Sequence, residues 1–387
     1  MELRINFIDY SINSMAKIFI CGDILNKFCE EQFIDPSLRT IISSCDYAIG
    51  NLEGTVSQTR SFTGVKQYPS TLQNLKKTGF DLLLLANNHI TDFGKEGLHY
   101  TINFLEDINL DYIGAGFSYE QVYAPKMIEV AGSRIGLINV CEAQVGHYVS
   151  DKQEFGYAWL GDFNLQTRIY KTKSECDYLI VLVHAGLEHY ELPLQQYRDL
   201  YQHYCDMGAD CVIGSHPHIS QGIENYKGKQ IVYSLGNFYF PRSKYAGLED
   251  TENKSFSVIL DFEDSKIKIT PVFHKMEKLV VSLCEETSDK KRLDKLSKVL
   301  LSDDYLGKVS EQNEKAYTKV VETLFRLSLN ATSPRDRLLT KIHNIWNYLI
   351  YKDNPQKSVQ RDKILLRLTE NETYRYLITS VLKNRIK

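Results

Sequence analysis

Through its first 240 residues the chain repeats one pattern: a short apolar run rich in β-branched residues, a polar or glycine-containing loop, then a longer stretch with helical spacing. The apolar runs predict strands at Lys17–Cys21, Tyr47–Ile49, Asp81–Leu85, Ile135–Val140, Tyr178–Val183, Cys211–Ile213 and Gln230–Ser234. Such alternation implies a layered α/β fold. Near 120–140 and again at 255–274 the pattern changes to paired strands, as in Phe256–Phe262 followed by Lys266–Thr270, so the sheets are expected to be mixed or to pack on one another. After about residue 275 the spacing becomes helical, with Leu293, Leu296, Leu300 and Leu301 on one face and a second stripe at Leu339, Ile342, Ile345 and Leu349. The expected division is residues 1–275 as one α/β domain and residues 276–387 as a helical region for packing, oligomerisation or partner contact.

Composition adds little to that picture. With 43% hydrophobic and 25% charged residues, the chain reads as an ordinary globular protein. Charge is unevenly placed: residues 271–387 hold 23 of the 46 Lys and Arg but only 15 of the 49 Asp and Glu, so an acidic body precedes a basic tail. The tail's charges are interleaved and form no long run, which reads as a solvated helical surface and not as a nucleic-acid site. The eight cysteines include no CxxC pair and several lie in apolar runs, so they are expected to be reduced core residues. No apolar stretch is long enough to span a membrane, and Met1–Met15 lacks the apolar core of a signal peptide; a cytoplasmic protein is the default expectation.

The polar residues of interest follow the predicted strands, where open α/β sheets place their ligand crevice. Gly22-Asp23, Asn51-Leu52-Glu53, Asn88-His89, His184-Ala185-Gly186-Leu187-Glu188 and His216-Pro217-His218 offer carboxylate, amide and imidazole from five strand ends. That mixture suits Zn, Mn or Fe, and seven candidate ligands (Asp23, Glu53, Asn88, His89, His184, His216 and His218) exceed what one structural zinc needs. Each piece has a bland alternative. Asn88 can cap a helix beginning near Thr91-Asp92, His184 can be a satisfied core histidine, and Glu188 can be a solvent-facing loop carboxylate. His147, His189 and His203 lie outside the pattern and are read as surface residues.

Taken in order, Gly22-Asp23, Asn51-Leu52-Glu53, Asn87-Asn88-His89 with Asp92 and Gly94, His184 with Gly186 and Glu188, Gly214-Ser215-His216-Pro217-His218 and Tyr233-Ser234-Leu235-Gly236-Asn237-Phe238 resemble the bacterial capsule synthesis family, the CapA or PgsA type of poly-γ-glutamate synthesis proteins. The resemblance covers roughly residues 17–275. It implies a calcineurin-like metallophosphatase fold, a four-layer α/β/β/α sandwich here followed by a C-terminal helical region, with two divalent metal ions (Mn, Zn or Fe) at the strand ends. It further implies Asp23, Glu53, Asn88, His184, His216 and His218 as ligands, His89 as general acid or phosphate contact, Glu188 as a base or as an orienting group for His184, and Asn51 and Asn237 as substrate contacts. Leu25 stands where the superfamily has a histidine, and Glu53 where an aspartate normally bridges the metals. The implied function is polymer biosynthesis through a metal-dependent hydrolase acting on a phosphoester or γ-glutamyl substrate. The other reading is a non-catalytic subunit that binds an anionic polymer, or a synthase through its C-terminal helices.

Overall fold

A computed structural model describes residues 16–57, 64–144, 146–150, 153–241, 250–263, 266–284, 287–321, 324 and 368–386. The expected stripe at Leu339, Ile342, Ile345 and Leu349 lies outside the described residues. Two mixed sheets dominate. Sheet one is built on β1 (Lys17–Ile24), β2 (Tyr47–Leu52), β3 (Leu82–Leu84) and β4 (Asp111–Ile113), all parallel neighbours. Sheet two contains β5 (Lys126–Val130), β6 (Ser133–Cys141), β7 (Tyr178–His184), β8 (Cys211–Ser215), β9 (Ile223–Tyr226) and β10 (Lys229–Val232), in the order β9-β10-β8-β7-β6-β5. Sheet one is completed by β11 (Asn237–Tyr239) and by the antiparallel run β12 (Lys254–Glu263), β13 (Lys266–Glu277) and β14 (Val280–Leu283), which extends the sheet beyond residue 275. The lower half of β1 pairs with β12, and its upper half switches to β11, with Asp23 opposite Asn237.

Alternation within the strands explains why they read as continuous apolar runs. In β1, Ile18 and Ile20 enter a core shared with Ile180, Leu182 and Ile213 of sheet two, whereas Phe19 and Cys21 face Leu38, Leu72 and Leu98 of the helices outside sheet one. In β7, Leu179, Val181 and Val183 pack on the other side against Ile169, Tyr197 and Tyr201. Strands buried on both faces have no polar side to display. The helices are α1 (Pro36–Ser43), α2 (Pro69–Thr78) and α3 (Gly94–Asp107) on sheet one, then α4 (Leu165–Ser174) and α5 (Gln195–Asp206) on sheet two. Three cores between four layers give the α/β/β/α sandwich.

The C-terminal helices are α6 (Thr287–Leu300), α7 (Tyr305–Ala316), a π-turn at Tyr317–Val321 and α8 (Glu372–Ile386). Leu300, Tyr305, Val309, Leu368 and Leu377 join the same core as Val181 and Tyr197, so these helices are packed onto the helical face of sheet two. The expected stripe on α6 holds for Leu293, Leu296 and Leu300, which are buried, but not for Leu301. That residue is 68% exposed, because the helix ends at Leu300 and the chain turns away.

Close backbone approach at the top of β1 is what lets the site form. A Cβ on Gly22 would lie 1.9 Å from the Gly236 carbonyl oxygen, the same oxygen that accepts a hydrogen bond from the Asp23 amide at 3.1 Å. Gly22→Ala should therefore cost about 3 kcal/mol of stability, the upper range for overpacking, read as a lower midpoint in urea unfolding with an unchanged slope.

Candidate metal centre

Asp23 and Asn51 lie within β1 and β2, which run past their predicted ends; His184 closes β7, and His216 and His218 follow β8 directly. The parallel register places Asp23 opposite Asn51 and His184 opposite Ser215, so the two sheets deliver their ends to one spot. Asn88 is no helix cap: Phe93 holds that position before α3. Of the sequence-predicted residues, Asp23, Glu53, Asn88, His184, His216 and His218 converge and are all buried.

They form two adjoining groups. In one, Asp23, Glu53 and His218 each bring a ligand atom to within 4.8 Å of the others. In the other, His184 Nε2 lies 3.1 Å from Asn88 Oδ1 and 3.1 Å from His216 Nδ1. Both carboxylate oxygens of Glu53 are buried without a hydrogen-bond partner. A buried carboxylate left bare costs several kcal/mol unless something compensates it. A divalent cation would supply that compensation, and the donor set of carboxylate, amide and imidazole fits one. Burial, reinforced by the neighbouring histidines, holds the His184 pKa well below its ordinary value; burial also pushes His216 down to about 4. Both imidazoles are therefore neutral at pH 7, the form that binds metal.

Burial raises the Glu53 pKa, and the charge of Asp23 adds to this. For His218, burial is overcome by the charge of Glu53 and the bond to Asp23, and its pKa also rises. His89 sits beside this group with Nε2 3.9 Å from Glu53 Oε1, while Nδ1 is 3.0 Å from Asp92 Oδ2. Burial alone would lower its pKa, but Asp92 and Glu53 outweigh it and the net shift is upward.

The remaining expected residues take other places. Asn51 is not on a cleft wall: its Nδ2 is 2.6 Å from Asp23 Oδ1 and 3.0 Å from His184 Nδ1, so it braces two ligands. Asn237 likewise turns inward, its Oδ1 2.9 Å from His218 Nδ1. Glu188 is at the rim, 3.9 Å from His216 Nε2, and is the neighbour of that histidine and not of His184. Leu25 is buried. His147, His203 and His189 are all exposed as expected, and His189 also borders the site. Its ring stacks on His218 with centroids 5.8 Å apart, and its Nδ1 lies 3.2 Å from Glu252. The ligand loop is strained, with φ of 98° at His216 and 61° at His218, and His189 in the loop after β7 has φ of 66°. A non-glycine residue in that region costs on the order of 1–3 kcal/mol and persists only where its surroundings impose it.

Glu142 and Gln144 escaped the sequence reading. They follow β6, and the polar Glu142-Ala143-Gln144 run after the apolar Ile135–Cys141 is the sequence signal for them. Glu142 is completely buried and accepts from Thr373 Oγ1 at 2.8 Å, Gln144 Nε2 at 2.7 Å, the Gly186 amide at 3.0 Å and the Tyr197 hydroxyl. Its carboxylate lies 3.5 Å from His216 Nε2, and Gln144 Nε2 lies 2.7 Å from the same nitrogen. This is the outer support that a metal-binding histidine usually has. Even with four donors, burial pushes the Glu142 pKa up to about 7.

The bacterial capsule synthesis protein profile matches residues 17–242. The capsule biosynthesis protein CapA of Bacillus anthracis is 30% identical over 230 residues, which cover 56% of this chain and 56% of that protein. The PGA biosynthesis protein CapA of Bacillus subtilis is 30% identical over 251 residues, 60% of this chain and 64% of the relative. The chain thus spans somewhat over half the length of these relatives. A "Probable polyglutamine synthesis accessory protein" of Mycobacterium tuberculosis is 24% identical over 212 residues, 50% of this chain and 56% of that protein. Among solved structures, a 5'-nucleotidase precursor from Thermus thermophilus is similar with a TM-score of 0.42 at 13% identity, covering 74% of this chain and 59% of that one.

Two outcomes are expected from the geometry. Metal affinity should rise with pH through about 7, where Glu53 loses its proton, and go on rising toward about 10, where His218 does, because both groups must release protons before they can ligate; isothermal titration with Mn at several pH values measures this. Glu142→Ala should orphan four donors, lower stability by about 3–5 kcal/mol and weaken metal retention roughly tenfold or more, read by urea unfolding and elemental analysis.

Proposed function

The chain belongs to the bacterial capsule synthesis protein family, and we propose that within it the chain is a metal-dependent hydrolase of polymer biosynthesis, cleaving a phosphoester or a γ-glutamyl bond. The observation that carries this reading is the bare, buried Glu53 carboxylate set between Asp23 and His218, with the neutral His184 and His216 alongside. A purely structural core has no use for a carboxylate kept from every hydrogen-bond donor.

Two divalent ions, one near Asp23, Glu53 and His218 and the other near Asn88, His184 and His216, would supply Lewis acidity and an activated water. In hydrolysis the oxygen of water ends on phosphorus or on the acyl carbon, and the departing oxygen or nitrogen must gain a proton. His89 is the group that gives it. Asp92 accepts from His89 Nδ1, fixes the ring and keeps it protonated to higher pH, which leaves Nε2–H directed toward the Glu53 side of the centre. Asn51 and Asn237 hold Asp23, His184 and His218 in place, so the reacting groups need little rearrangement when substrate arrives.

A second reading, a non-catalytic accessory subunit of a polymer synthase, is favoured by the word "accessory" in the name of the mycobacterial relative. The same variants separate the two. Asp23→Ala combined with His216→Ala should abolish metal content together with turnover of phosphoester or γ-glutamyl substrates. His89→Gln should retain metal but lower kcat about 100-fold or more. Asp92→Asn should move the alkaline limb of the rate profile to lower pH, because the support that raises the His89 pKa is gone. Absence of turnover in the metal-loaded wild type would leave the accessory role.

A further inference from the structure

The conserved-family match ends at residue 242, yet the cleft that opens onto the metal centre has a wall made by residues far beyond it. This cleft encloses about 200 Å³ and includes His216 in its lining. The loop Gly186–Tyr190 forms one side. Lys319 and Val320 of the π-turn, together with Asn371, Thr373 and Tyr374 at the start of α8, form the other.

That second wall is fixed in place. The Glu372 amide donates to the Ala143 carbonyl at 3.1 Å, and the Ala143 amide donates to Glu372 Oε2 at 2.8 Å. Trp159 Nε1 donates to Glu372 Oε1 at 3.2 Å, and Thr373 donates to Glu142. Leu368 and Leu377 are sunk in the core beside sheet two. The start of α8 is therefore anchored to the strand end that also supports His216.

We propose that the C-terminal helices build a substrate-recognition subsite of the same centre, in which Lys319 pairs with a carboxylate of the substrate and Tyr190 and Tyr374 pack against its apolar body. This rests on the hydrolase reading for the identity of the bond cleaved, but not for binding. Charge selects the carboxylate. Lys319 is the only Lys or Arg among the described residues lining the cleft, and Glu188 lies in the same lining. Lys319 and Glu188 leave the lining close to neutral, so the lysine can pair directly with one carboxylate, whereas each further negative charge on the substrate would face the glutamate with no second cation. On this wall, apart from the metal ligands, a phosphate dianion would meet one lysine, where it is usually met by several donors or a bidentate arginine. Gln144, Asn371 and Thr373 add the neutral hydrogen-bonding groups expected around an amide-linked acid.

The test uses the full chain loaded with Mn and, as probes, γ-linked diglutamate, its fully amidated neutral analogue and phenyl phosphate, each followed by titration calorimetry. Lys319→Met should weaken diglutamate binding about tenfold, Lys319→Arg should restore most of it, and neutral-analogue binding should stay within about twofold. Tyr374→Leu should weaken both peptide probes. Metal content should not change, since Lys319 is exposed and touches no ligand. Equal diglutamate binding by wild type and Lys319→Met would overturn the proposal, as would failure of wild type to bind diglutamate. A loss for phenyl phosphate as large as that for diglutamate would overturn the carboxylate assignment. Diglutamate binding that depends on Lys319 without any turnover would sink the hydrolase reading and sustain the subsite.

Discussion

Glu53 is buried with both oxygens bare beside the buried carboxylate of Asp23, and much of the architecture can be understood as what makes that arrangement tolerable. The charges of Glu53 and Asp23 raise the His218 pKa, so its imidazole answers part of the negative charge. Asn51 donates to Asp23, and the His216 amide lies 3.3 Å from the other oxygen of the same carboxylate. Gln67 reaches across to the Glu53 and Ile24 carbonyls, which fixes the backbone carrying the acid but leaves its side chain unsatisfied. Asn51 Oδ1 is likewise buried without a hydrogen-bond partner, so unsatisfied acceptors gather at this centre. Hydrophobic burial on both faces of two sheets provides the stability that such a site consumes.

The same economy explains the loop after β8. Two histidines with positive φ in the space of three residues would be a poor choice for a turn whose only task was to reverse the chain, since glycine or asparagine would adopt it with less strain. Pro217 between two of them narrows the backbone options further. What the strain achieves is convergence: His216 turns toward His184 while His218 turns toward Asp23, so one short loop serves both ligand groups. Gly186, at φ 134°, passes directly beneath Pro217 and lets the β7 loop approach.

Much of this was legible in the sequence because strands buried on both faces announce themselves as apolar runs, and a polar residue at the end of such a run has few reasons to be there. That logic located Asp23, His184, His216 and His218 without any coordinates. The same logic applies to Glu142, which directly follows the buried strand β6, but it does not reach Leu301, because helical spacing says nothing about where a helix stops. Asn51 and Asn237 were assigned to the substrate on the strength of their position alone. Their inward orientation depends on the bulge between Cys21 and Asp23 and on the partner switch along β1, which no local pattern encodes. His189 is exposed as expected, and its stacking on His218 is a contact between loops that no local pattern encodes either.

The role of residues after 283 was the least legible, because it depends on long-range contacts made by a few side chains. Thr373 is separated from Glu142 by 231 positions, yet the two are hydrogen-bonded, and Glu142 in turn lies against His216. A helix that merely covered apolar surface would not need a hydroxyl placed on a buried acid. With Tyr197 and Gly186 completing the same carboxylate, the C-terminal helix becomes part of the support on which one metal-ligand position depends. Folding of the appendage and geometry of the centre are therefore coupled through a single buried group. Because that group's ionised form is disfavoured by burial and favoured by four donors, loss of any one donor shifts the balance toward protonation and weakens its hold on the others.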